Sequence, residues 1–169
     1  MLYTDMLRIT VFLTGAEATA LGALTAIVSG QNNDTTTALV AAVWWLAALA
    51  IGLYLGSPAR AADGVRDTLA RARTATVLPD ETPNRIALGR LWPIGASAIL
   101  AGALGVFFPG VAAIGAGYAL LIALTMRTRE AAVLGIEHRD GVKFYVLPNS
   151  ALRPIQLVRT PGLRSDRPR

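Results

Sequence analysis

The chain has 169 residues, sized for one domain, and is 53% hydrophobic against 16% charged, a balance too apolar for an ordinary soluble domain. It has no cysteine and one histidine, His138, which excludes disulfides, thiolate metal centres, iron–sulfur clusters, cysteine nucleophiles and histidine-built metal clusters. The net charge of +5 is read by position before it is read as a sum, because basic residues in an apolar chain report orientation in a membrane.

Four apolar stretches, at about 9–28, 38–55, 86–108 and 111–126, are each long enough to cross a hydrocarbon core about 30 Å thick. They predict an all-α integral membrane protein, a four-transmembrane-helix bundle. The first stretch, Ile9 to Val28, contains a small-residue triplet, Ala18-Thr19-Ala20, of the kind cleaved after signal peptides. Its apolar run continues to Val28, and Asp5 stands beside Arg8 ahead of it, so an uncleaved span is expected. Near its middle lies Glu17, where an ionised carboxylate costs about 3 kcal/mol.

The polar segment Gln31–Thr37 leads to the second stretch, Ala38–Leu55. Trp44 and Trp45 fall in its outer half, where packing or anchoring in the outer leaflet is expected. Small residues recur every fourth position: Ala18, Gly22, Ala26 and Gly30, then Ala48, Gly52 and Gly56. Ala101 and Gly105, then Ala113 and Gly117, continue the pattern. Such spacing lets helix backbones approach closely in lipid.

Segment 57–85 opens with Ser57-Pro58, a helix-start signature. Ala62, Val65, Leu69, Ala72 and Thr76 follow at helical spacing. Arg60, Arg66, Arg71 and Arg73 occupy the other positions, with Asp67 four residues before Arg71. The expectation is an amphipathic cytoplasmic helix ending before Pro79 and lying along an anionic inner leaflet.

The third stretch, Ile86–Phe108, carries Arg90 and an interfacial Trp92-Pro93 pair. A tight Phe108-Pro109-Gly110 turn then makes a hairpin with the fourth stretch, Val111–Met126. Shifting the first stretch by eighty residues lays Gly15, Gly22 and Gly30 over Gly95, Gly102 and Gly110. This suggests two tandem helical hairpins in parallel orientation. The offset sets Glu17 over Ser97, so the carboxylate belongs to one half only.

In the tail, 131–169, Asp140-Gly141 sits between Val133–His138 and Val142–Val146, a hairpin signal with Val142, Phe144 and Val146 on one face. Ile155–Val158 offers a third strand, and residues after Pro161 form a basic end. So short a segment cannot build its own core. The sheet must pack on the helices' cytoplasmic face, on a second protomer, or on another protein. His138, beside the turn, reads as a surface residue.

Orientation follows from arginine. Segment 57–85 and the tail hold nearly all basic residues, whereas segments 29–37 and 108–110 hold none. The positive-inside rule makes the basic side cytoplasmic, with both termini inside. Only Lys143 departs from arginine among the basic residues, and with the alanine content this fits a high-GC bacterial chain, hence a bacterial inner membrane.

Glu17 and Arg90 form a candidate intramembrane polar pair: both are counted from the cytoplasmic face, and their depths differ by roughly 7 Å, within reach of an arginine side chain. Thr14, Thr25 and Ser97 are other possible partners of the carboxyl. No Gly-rich phosphate loop, HExxH, G-x-S-x-G or paired-aspartate motif occurs, so no catalytic residue, cofactor or metal is expected. Nor does any fold motif point to nucleic acid. The expected partners are the bilayer, anionic lipids, and a second copy or another membrane protein. The expected function is a non-enzymatic accessory or scaffold subunit. A small oligomeric transporter or channel using Glu17 is the alternative, and a membrane-embedded enzyme the third.

Overall fold

The computed structural model describes residues 1–74, 82–151 and 153–161. Four of its helices are long and apolar enough to cross a membrane: α1 (Tyr3–Gln31), α2 (Thr35–Leu55), α4 (Pro83–Phe107) and α5 (Pro109–Asp140). This is the architecture of a multi-pass membrane protein. A short helix, α3 (Pro58–Ala70), stands between the second and third of them.

At ~1.5 Å per residue, the 21 residues of α2 match a bilayer core, whereas the 29 of α1 and 32 of α5 exceed it by about 14 and 18 Å. The excess lies at the arginine-bearing end, where both helices leave the apolar zone. Between α1 and α2, Asn33 takes a left-handed turn (φ 50°), a conformation Asn tolerates. Asp34 then caps α2 by accepting the Thr37 N–H at 3.0 Å.

α1 and α5 form the centre. α2 packs on α5, and α4 lies against both α1 and α5, while α2 and α4 barely meet. The extensive α1–α5 contact has no counterpart between α2 and α4, so packing does not follow the eighty-residue repeat. The small-residue stripes serve contacts within the chain. A Cβ on Gly52 would lie 2.8 Å from Leu124 Cδ1, and one on Gly105 would lie 2.6 Å from the Ala112 Cβ. Trp45 donates from Nε1 to the Ala113 carbonyl at 2.9 Å and Trp44 to that of Ile114 at 3.3 Å, so both indoles bind α2 to the first turns of α5. The opposite faces of α2 and α4 expose Leu39, Val43, Leu46, Ile99, Leu100 and Phe107, the surface a lipid phase covers.

The tail departs from the expected hairpin. Val133–His138 is helical, because α5 runs without interruption to Asp140. Gly141, at φ 62°, ends that helix as a left-handed cap, its N–H bonded to the Glu137 carbonyl. Strand β2 (Val142–Val146) pairs antiparallel with β3 (Leu157–Pro161), Phe144 opposite Arg159. The third strand, β1 (Arg73–Thr74), comes from the connection after α3 and runs parallel to β3, giving the order β1-β3-β2. On the far side of β2, Leu2 bridges Tyr145, and Val146 donates its N–H to the Met1 carbonyl at 2.9 Å. The first residues and the tail thus share one end of the molecule.

That end holds the larger apolar core. Tyr3, Met6 and Leu7 of α1, Val65 and Leu69 of α3, Ile86 of α4 and Val133 of α5 close over Val142, Phe144, Val146 and Leu157 of the sheet. Fully burying a side chain of this size is worth about 1.5–3 kcal/mol. Of the three surfaces open to the sheet, it uses its own helices. The same packing corrects the expectation for α3: Ala61, Val65 and Leu69 are buried in contact with protein, so the apolar face does not rest on lipid. The helix also ends at Ala70, short of the expected length. Thr76, Pro79 and the basic end 162–169 lie outside the described residues.

Candidate functional site

Among the described residues, the acidic side chain deep among the apolar helices is Glu17. It is half-buried on α1, with Ser97 of α4 the side chain near enough to act on its carboxyl. The Ser97 hydroxyl donates its proton to the Ile94 carbonyl at 2.8 Å, on its own helix. Thr14 and Thr25 are satisfied differently, each donating at 2.8 Å to a carbonyl one turn back on α1. Of the alternative partners, Ser97 is therefore the one that α4 brings to Glu17. It is also the residue the eighty-residue offset sets over it.

Arg90 is not brought to Glu17. Its Nη2 donates to the Arg153 carbonyl at 3.4 Å. The reason is directional: Arg90 lies one turn beyond Ile86, which faces the apolar core at the basic end. Its stem runs toward that end, in the direction an arginine in a membrane helix extends to reach polar surroundings. The Nη1 atom is buried with no hydrogen-bond partner.

The four arginines assigned to the membrane surface are exposed but differ in setting. Arg60 stacks over the Tyr54 ring, 3.6 Å from its centroid, and donates to the Tyr54 carbonyl at 3.2 Å. This fixes it where α2 ends. Arg66 pairs with Asp63 at 3.4 Å. Arg71 caps α3, and Arg73 lies in β1 opposite Val158. Only Arg60 is tied to the end of a membrane-length helix, while Arg73 belongs to the sheet.

Sequence reasoning missed Glu137, which belongs to α5 rather than to a strand. Its side chain is 1% exposed, receiving Lys143 Nζ at 3.0 Å and the Phe144 N–H at 3.2 Å. The signal was the helical spacing of Val133, Ile136 and Asp140, which continues α5 past Glu130. Arg8 and Glu130 form an ion pair between α1 and α5 at 3.1 Å. His138 is in the last turn of α5.

Between α3 and α5 runs an open groove of about 380 Å³, with Ala62, Ala132, Gly135 and Ile136 along its floor and Arg66 and Arg139 on its walls. Arg139 is held by Asp140 at 2.8 Å, and that pairing keeps the Asp140 carboxyl below the usual carboxylate range. Among the described residues, no group of three histidine, aspartate or glutamate side chains is placed to hold a metal ion.

These features define a four-span, multi-pass membrane protein with a small α/β module at one end. No protein family, curated protein or solved structure matches the chain.

Proposed function

We propose that this is a non-enzymatic bacterial inner-membrane protein, an accessory or scaffold subunit that docks a partner or second copy on its basic end. The arginine distribution supports reading that end, with both termini, as cytoplasmic. The eighty-residue offset supports reading the spans as two tandem helical hairpins, tied into one unit by the module.

The observation that carries the docking role is the groove between α3 and α5. It has an apolar floor, arginines on both walls, and walls fixed by the buried core beneath. An amphipathic helix with acidic flanks fits those features, its apolar face on Ala132 and Ile136. The test uses Gly135, where an added side chain meets nothing within 4 Å, so Gly135→Trp fills the groove without disturbing the core. Loss of a partner or dimer from mild-detergent preparations is the expected result. An unchanged set of co-purifying proteins counts against the reading. Deleting the tail is a poor substitute, because it removes Val133 and Phe144 from the core.

A second reading rests on Glu17. A half-buried carboxyl facing one hydroxyl at mid-membrane depth is suited to a proton or cation site in a small oligomeric transporter or channel. In liposomes, Glu17→Gln then removes a pH-dependent flux that the wild type shows. Absence of flux through the wild type ends this reading.

A further inference from the structure

Between α1 and α4 runs an open crevice of about 430 Å³ that neither reading uses. Ile9 and Leu13 form one wall, Leu88 and Trp92 the other, and all four are exposed. At the end nearest the membrane centre, Gly95 leaves open space, since an added Cβ there meets nothing within 4 Å. Asn84, in the first turn of α4, stands at the other end. From Asn84 to Gly95 the crevice rises about 16 Å at ~1.5 Å per residue, half of a hydrocarbon core about 30 Å thick. Its length is therefore that of one leaflet, and its apolar walls match an extended hydrocarbon chain.

The mouth of the crevice carries two charges of opposite sign. Asp5 stands one turn before Ile9 on α1, and Arg85 follows Asn84 on α4; both are exposed. Among the described residues neither has an ion pair, with the other or with any third group. Arg8, the next charge along α1, is already held by Glu130. A purely anionic headgroup would satisfy Arg85 and be repelled by Asp5. A headgroup with both a phosphate and an ammonium answers the two together. The guanidinium fork matches phosphate oxygens in pairs, and an ammonium donates to a carboxylate.

We propose that this crevice binds one phospholipid of the ethanolamine class, an acyl chain lying along Leu13 and Trp92 and the headgroup across the mouth. The phosphate lies against Arg85 and the Asn84 amide, and the ammonium against Asp5. A choline head has the same charges but no N–H donors, so it serves Asp5 less well. Only the assignment to the inner leaflet rests on the cytoplasmic reading of the basic end; the site itself does not.

The test equilibrates full-length protein in mild detergent with equal amounts of phosphatidylethanolamine, phosphatidylcholine and phosphatidylglycerol. Native mass spectrometry then identifies the retained lipid, whatever the orientation in a membrane. The wild type is expected to retain one phosphatidylethanolamine, preferred roughly fivefold over either competitor. Leu46→Phe, at an exposed position on α2, behaves as the wild type. Gly95→Phe fills the crevice and loses the lipid. Arg85→Gln lowers retention, and Asp5→Asn removes the preference for phosphatidylethanolamine over phosphatidylglycerol. If Gly95→Phe does not fold, Arg85→Gln and Asp5→Asn decide, both being at exposed positions. Preferential retention of phosphatidylglycerol, or equal retention of all three lipids, overturns the proposal. So does a preference that Arg85→Gln and Asp5→Asn leave unchanged, or a lipid that folded Gly95→Phe still holds.

Discussion

The carboxylate of Glu137 on α5 accepts the backbone N–H of Phe144 on β2 at 3.2 Å, joining the end of the last helix to the strand that follows. Its second oxygen takes Lys143 Nζ at 3.0 Å. A buried acceptor with two donors holds the α/β module in register against its helix. Glu137→Ala leaves the Phe144 N–H unsatisfied and is expected to destabilise by about 2–3 kcal/mol. Glu137→Gln keeps an acceptor and should cost about half as much. Chemical unfolding of both variants in detergent checks the order; equal costs would show that the Phe144 bond contributes nothing.

Close approach in the membrane zone predicts a contrast between two glycines. Gly105→Ala sets a methyl 2.6 Å from the Ala112 Cβ and 3.1 Å from Leu24. The first neighbour is too short to rotate away, so a loss of about 1–3 kcal/mol is expected. Gly15→Ala meets nothing within 4 Å and should be neutral or slightly stabilising. Thermal midpoints of the pair in one detergent measure the difference.

Asp34 predicts a pH effect. Hydrogen bonds from the Thr37 hydroxyl and N–H hold its carboxyl below the usual aspartate range. A depressed folded pKa gives stability that is fully present above the unfolded value, near 3.9, and lost as pH falls through the folded one. Asp34→Ala should therefore lower the midpoint at neutral pH, and the gap from wild type should close on acidification below pH ~4. A gap that persists there would mean the charge plays no part.

The absence of native cysteine makes orientation directly measurable. Asn32→Cys, in the exposed turn after α1, should react with a membrane-impermeant maleimide in intact cells. Arg66→Cys and Arg139→Cys should react only after permeabilisation. The reverse pattern would invert the membrane assignment and move the groove to the outer surface.

The four spans were legible because length and hydropathy decide them with little help from tertiary structure. The Asp140-Gly141 signal was legible and misassigned. A hairpin turn and a helix cap both need a residue that accepts positive φ, and Gly141 meets either demand; what decided was the helical spacing of Val133 and Ile136. Gly141→Ala, at φ 62°, is therefore expected to cost about 1 kcal/mol through the cap, with β2 otherwise intact by hydrogen exchange. β1 could not be read, since two residues in an arginine-rich segment carry no alternation. The Glu17–Arg90 expectation used depth alone, whereas the side of the helix on which each residue sits turned Glu17 toward Ser97 and Arg90 toward the Arg153 carbonyl.

The apolar core at the basic end has a consequence for biosynthesis. Its residues span Tyr3 to Leu157, so it cannot close until the last strand has left the ribosome, long after the first spans are available to insert. A chain with one span missing or inverted would carry α1 or α5 to the wrong side and leave Val142, Phe144 and Val146 uncovered in water. Closure of this core therefore requires that every span has inserted in its place, and a mis-threaded molecule would be left with exposed apolar strands, a substrate for quality-control proteolysis.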